Sequence, residues 1–193
     1  MCHKVLADER FFAMLLQIDE ELAAEARAAR CPRCGGRLDG ARFPRKPRGA
    51  ACRLDPAYSK RLSLCCAAEG CRGRVTPPSV RFLGRRVYLA AVVVLLAALE
   101  GGATVRRVEE LRSRLGVSLT PATVSRWRQW WRCSLPRTAW WREVRGRFVP
   151  PVATASLPAS LLSRFVDDDE RDRLVALLRF LSPVTVPGSS FAM

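Results

Sequence analysis

Histidine is almost missing from this chain: His3 is the only one in 193 residues. The commonest proton shuttle and the usual ligand of catalytic metal sites is therefore unavailable for most purposes, which argues against metal catalysis. Lysine is scarce as well, with three of the 33 basic residues, so the positive charge is carried by 30 arginines. No apolar run is long enough to span a bilayer. The longest, VYLAAVVVLLAAL at residues 87–99, has 13 residues where a spanning helix needs about 20, and is expected to be a buried core helix. The N-terminal MCHKVLADERFFAMLL has acids interrupting its apolar stretch and no small-residue cleavage site behind it, so it does not read as a secretion signal. No internal repeat is found.

What is abundant is cysteine and positive charge. The formal net charge is +15, and it is unevenly placed: residues 31–150 hold 25 basic and 7 acidic side chains, whereas both flanks are slightly acidic. A uniform codon bias towards arginine would not produce that contrast. A polyanion is the partner it suggests, nucleic acid first. A solvated arginine-rich surface is the plainer alternative.

Eight cysteines in a chain without a secretion signal point to metal ligation rather than disulfides. CPRCGG, residues 31–36, is a Cys-x-x-Cys turn followed by glycines, a spacing that lets two thiolates converge on one ion. The second pair must come from SLCCAAEGC, residues 63–71. In a strand alternate side chains share a face, so Leu62, Leu64 and Cys66 point one way and Ser63 and Cys65 the other. With the leucines packed inward, Cys66 joins Cys71 as a ligand and Cys65 is a spare buried thiol. The expected site is thus Cys31, Cys34, Cys66 and Cys71 around one structural Zn²⁺, four thiolates closing a tetrahedron with no open position. Cys2, Cys52 and Cys133 are read as free thiols, and a metal-free cysteine-rich core is the alternative.

The expected fold class is α+β, mostly α: a small zinc-ribbon β module followed by a helix-turn-helix domain. Four segments are expected. Residues 1–30 carry an amphipathic helix over 8–29, capped by Asp8, with Phe11, Phe12, Leu15, Ile18 and Leu22 on one face. Residues 31–80 form the ribbon. Residues 81–133 form the helical DNA-binding unit, and residues 134–193 a helical extension with a flexible tail, its short helices near 139–144, 158–165 and 167–181. Trp140, Trp141 and FVPPV at residues 148–152 are expected to cover the helical core.

Within the third segment, EGGATV breaks the core helix. VRRVEELRSRLG then places Val105, Val108, Leu111 and Leu115 along one stripe, leaving Arg106, Arg107 and Arg114 outside, and Gly116 closes it. In GVSLTPATVSRWRQWWR, Thr120 caps a new helix and Pro121 occupies its first position, where no amide hydrogen is missed. Val124, Trp127 and Trp131 should face the core. The opposite face presents Ala122, Ser125, Arg126 and Gln129, the candidate base contacts, since arginine and glutamine match guanine and adenine edges. Arg106, Arg107, Arg128 and Arg132, with Arg42, Arg45, Lys46 and Arg48 of the basic loop RFPRKPRG, are the candidate phosphate contacts. An ordinary helical hairpin with a charged outer face is the alternative.

The order of these parts resembles the N-terminal region of zinc-ribbon transposases of bacterial insertion sequences: a Cys-x-x-Cys-Gly knuckle, a basic hairpin, a second knuckle, an apolar helix and a helix-turn-helix. The likeness covers roughly residues 31–132. It implies zinc at Cys31, Cys34, Cys66 and Cys71 and sequence-selective binding of double-stranded DNA. The chain departs from that pattern in its long gap between knuckles and its widened Cys-x4-Cys. Only 61 residues follow Arg132, too few for the ribonuclease-H-like fold that carries the family's chemistry. VDDDERDR, residues 166–173, is read as a helix N-terminus and not as an acidic triad, because a working triad draws its carboxylates from separate strands. The expectation is a cytoplasmic, nucleoid-associated, non-enzymatic accessory or regulatory factor of a mobile element, with no small-molecule substrate and no membrane contact. Association with a transposase or with itself is possible on this reading. A subunit completed in trans by a catalytic chain, and a protein-interaction adaptor, are the rival readings.

Overall fold

The structure is a computed structural model that describes residues 2–45, 54–83, 88–115, 117 and 119–186. Lys46, Arg48, Cys52, Gly116, the tail beyond 186 and the side chains of Cys2, His3, Arg114 and Leu115 lie outside the described part. Helices predominate, with a few short antiparallel strands, so the chain is α+β and mostly α.

Helix α1 spans Glu9–Ala28, and the Asp8 carboxylate accepts the Arg10 amide at 2.9 Å. Its buried face is the expected Phe11, Phe12, Leu15 and Ile18, plus one residue that breaks the apolar pattern, Asp19. The helix ends where Arg30 turns into the left-handed region at φ 63°, which delivers Cys31 directly into the β module.

That module is built on one long antiparallel hairpin. Strand β1 (Leu38–Gly40) pairs with β4 (Leu64–Cys66), and β2 (Phe43–Pro44) pairs with β3 (Lys60–Arg61). Leu38 faces Cys66 and Phe43 faces Arg61, so the register is the same in both parts and no residue is inserted between them. The long gap between the two cysteine pairs is thus the length of this hairpin and its loop. Strand β5 (Arg74–Val75) adds to β4, giving the order β1-β4-β5.

A buried charge cluster fastens the module to α1. The Asp19 carboxylate accepts from the Ser79 hydroxyl at 2.5 Å, the Val80 amide at 2.7 Å and the Arg81 Nε at 2.8 Å. Arg81 spends its remaining nitrogens on the carbonyls of Tyr58 (2.6 Å) and Lys60 (2.9 Å) and lies over the rings of Tyr58 and Phe82. Arg61, also buried, donates to the carbonyls of Pro77 and Pro78, and desolvation pulls its pKa down to about 10. A paired and fully hydrogen-bonded arrangement is what allows such charges to be buried at all.

Helix α2 (Leu89–Ala98) is the expected core helix, with every side chain from Leu89 to Leu96 buried. Among the described residues no helix is long and apolar enough to cross a membrane. Around α2 pack α4 (Pro121–Gln129), α6 (Ala159–Leu162), α7 (Glu170–Leu181) and the turn Cys2–Ala7, while α3 (Val105–Leu115) lies against that same turn. One apolar core runs from Leu6 to Val184 and takes in Tyr58, Val80 and Phe82 next to the β module. A second, much smaller cluster consists of Cys31, Leu38, Leu64 and Cys66.

Val105, Val149, Pro150, Pro151 and Cys65 differ from the sequence reading, the two prolines being exposed like Val149. Val105 is exposed, because as the first residue of α3 it precedes the packed stripe, which begins at Val108. Val149 projects into solvent rather than covering the core, although Trp141 is buried and Trp140, Phe148 and Val152 pack against it. Cys65 is half-buried, not buried. The expected short helices appear as α5 (Ala139–Val144), α6 and α7, and Asp169 caps α7 by accepting the Arg171 amide at 2.7 Å.

Candidate metal centre and nucleic-acid interface

Two backbone turns bring the four cysteines together. In the first, the Gly35 amide donates to the Cys31 carbonyl at 2.8 Å and the Cys31 amide to the Gly36 carbonyl at 3.0 Å, with Gly35 at φ 71°. In the second, the Cys66 amide donates to Gly73 at 2.9 Å and the Cys71 amide to Ala68 at 3.2 Å, with Gly70 and Arg72 left-handed. Glycine at 36 fits a tight space: a Cβ there would stand 3.0 Å from the Cys66 sulfur and 3.3 Å from that of Cys34, and the cage would have to give by a few tenths of an ångström.

The four sulfurs lie within 4.8 Å of one another, with Cys34 to Cys66 at 3.4 Å and Cys31 to Cys71 at 3.8 Å. A disulfide needs about 2.05 Å, and all four cysteines are free. An ion bonded to four thiolates at about 2.3 Å in a tetrahedron sets its sulfurs about 3.8 Å apart, so the cage fits a single metal ion. Cys66 is the ligand from the adjacent pair. Cys65 points away, its thiol near the carbonyls of Cys66 and Arg72.

The thiols are unequal. The Arg33 amide, helped by that of Cys34, draws the Cys31 thiol down to about 7 against the opposing effect of burial. The Ala68 amide favours the Cys66 thiolate, but burial and the three neighbouring sulfurs outweigh it and push that thiol up to about 12. Cys34 is raised too: the Gly36 amide and Cys66 favour its thiolate, and Cys71, burial and Cys31 together overcome them.

Around this cage stand arginines that sequence reasoning passed over. Arg30, Arg33, Arg37, Arg72 and Arg74 are all exposed, and among the described residues only Arg37 has an acidic partner, Asp39 at 3.3 Å. The signal was available, since all five lie within one to three residues of a ligand cysteine.

The candidate base-contacting residues sit together on α4. Thr120 caps the helix, accepting the Thr123 amide at 3.2 Å, with Pro121 at its first position. Val124, Trp127 and Trp131 are buried, and Ala122, Ser125, Arg126 and Gln129 are exposed on the other side. A π turn over Trp130–Ser134 also buries Trp130, edge-on to Trp131 at 5.1 Å.

The candidate phosphate contacts divide. Arg132 is exposed. Arg42 is loosely paired with Glu20 at 3.9 Å, Arg106 with Glu110 at 3.8 Å, and Arg45 lies over the Phe43 ring at 4.2 Å. Arg107 is exposed and has its guanidinium against Gly101. Arg128 is turned inward and donates to the Leu99 carbonyl at 2.5 Å, closing the C-terminus of α2; desolvation, then the nearby Arg132, lowers its pKa.

The four cysteines thus form a cage that could hold one metal ion, within the same strongly basic chain segment that carries the exposed face of α4. Compared with known proteins, the chain matches no family model, no curated protein and no solved structure.

Proposed function

We propose that the protein is a zinc-stabilised, sequence-selective binder of double-stranded DNA, without catalytic activity of its own. The observation that carries this reading is the concentration of positive charge in residues 31–150, the same stretch that holds the four-cysteine cage and the exposed face of α4. Zinc is the ion favoured by four thiolates in a closed tetrahedral site, and four protein ligands leave no position for a substrate. Arg126 and Gln129 of α4 read base edges, and exposed arginines, including those beside the cage, contact phosphates. Two consecutive helices, α3 and α4, the second capped by Thr120, support a helix-turn-helix, and the cysteine turns on hairpins support a zinc ribbon. The resemblance in the order of these parts supports a role as accessory or regulatory factor of a mobile element.

The test is selection of bound sequences from a random duplex pool by the zinc-loaded protein and by Arg126→Ala/Gln129→Ala. An enriched motif that weakens or disappears in the double variant supports base reading by α4. Enrichment unchanged in the variant refutes that assignment, and no DNA binding at all refutes the function and favours a protein adaptor.

A further inference from the structure

The C-terminal half carries an apolar surface that the DNA-binding reading does not use. Phe180 of α7 is the centre of a half-buried aromatic cluster, with Trp140, Phe148 and Phe165 at ring separations of 5.0, 5.5 and 5.6 Å. The chain leaves this cluster at two points, and at both the next residue is a valine thrust into water: Val149 is 91% and Val166 is 93% exposed. Isolated exposed valines are ordinary, but two that flank one partly open aromatic cluster form a patch.

The two chain segments that border it carry opposite charges. Arg145 and Arg147 precede Phe148–Val149, and Asp167 and Asp168 follow Phe165–Val166. All four are exposed, and among the described residues none pairs with a residue of opposite charge. This differs from the neighbouring Asp169, Glu170 and Asp172, which are paired with Arg171 or Arg173. A surface with a basic border, an apolar centre and an acidic border is complementary to itself after a twofold rotation, in which each copy sets its basic border against the acidic border of the other.

We infer that this patch is the contact surface of a homodimer, its occupant a second copy of the same chain. Val149 and Val166 of each copy cover the aromatic cluster of the other, and Arg145 and Arg147 meet Asp167 and Asp168 twice over. The inference is independent of DNA binding.

The experiment is analytical ultracentrifugation of the full-length, zinc-loaded protein without DNA, over a concentration series. The unmodified chain should dimerise. Arg145→Glu/Arg147→Glu makes both borders acidic, and Asp167→Arg/Asp168→Arg makes both basic. Each variant alone should dimerise at least on the order of tenfold more weakly, since each attraction becomes a repulsion at both symmetric edges. Mixed in equal amounts, the two should form a heterodimer. Val166→Glu, at a position too exposed to affect folding, should give a monomer, and unchanged circular dichroism verifies that each variant is folded. A monomeric parent protein, a dimer that persists in the charge variants, or a mixture that does not associate would each overturn the proposal.

Discussion

At the residue scale, the choice between Cys65 and Cys66 has a direct consequence. Cys66→Ser removes a cage ligand from a fully buried position, so bound metal should fall well below one ion per chain, whereas Cys65→Ser should keep the full complement. Metal content by atomic emission distinguishes the two. Proton linkage follows from the same cage. Without an ion, the Cys34 and Cys66 thiols are both held above their usual value and keep their protons near neutrality, so metal binding must expel at least these two. Affinity should therefore fall at least a hundredfold for each pH unit of acidification below 7, approaching about a thousandfold as the Cys31 thiol, drawn down to about 7, also holds its proton, and metal-linked stability, present at high pH, should be lost as pH falls. A chelator competition across pH measures the slope, and a pH-independent affinity would rule out this account of the cage. Strand alternation made Cys66 legible in the sequence. The buried ion pair was not, because Asp19 and Arg81 are 62 residues apart, and only folding shows that they meet. Asp19→Ala, which strands Arg81 in the interior, should cost about 3–5 kcal/mol in denaturant unfolding.

At the scale of elements, helices were legible where caps and apolar spacing agree. Asp8 and Thr120 begin the helices they were expected to begin, and the acidic run at 166–173 supplies the cap of α7, at Asp169, two residues later than the expected start at 167. The length of α2 followed from its uninterrupted apolar run. What the spacing concealed is how α4 ends. The helix runs on into a π turn over Trp130–Ser134, and both Trp130 and Trp131 are buried where the spacing pointed only to Trp131. The role of Arg128 was also hidden, since a cation on the side of one helix was needed at the end of another. Arg128→Ala should lower stability by about 1 kcal/mol by leaving the α2 terminus unsatisfied, while Arg126→Ala should leave the melting temperature unchanged. Equal thermal shifts in the two variants would contradict this division between a structural and a ligand-facing arginine.

At the scale of the whole molecule, two cores of very different size imply two different dependencies on metal. Cys31, Leu38, Leu64 and Cys66 bury too little apolar surface to hold the β module by themselves, so the ion has to supply the difference. The core from Leu6 to Val184 has no such need. Chelation should therefore abolish hydrogen-exchange protection in residues 31–40 and 64–75 and leave α2, α4 and α7 protected. Loss of protection throughout would mean that the two parts unfold as one. The charge asymmetry between the middle of the chain and its flanks was legible from composition alone. The grouping of arginines at the cage was legible too once the four ligand cysteines were chosen, since each arginine lies within three residues of one of them; only their exposure needed the structure.

The central claim is that this charge engages DNA phosphates. Its most direct test is the affinity of the zinc-loaded protein for a duplex across a salt series. With six or more phosphates neutralised, affinity should fall on the order of a thousandfold between about 50 and 200 mM salt. An affinity that does not change with salt, or no binding even at low salt, would contradict the account.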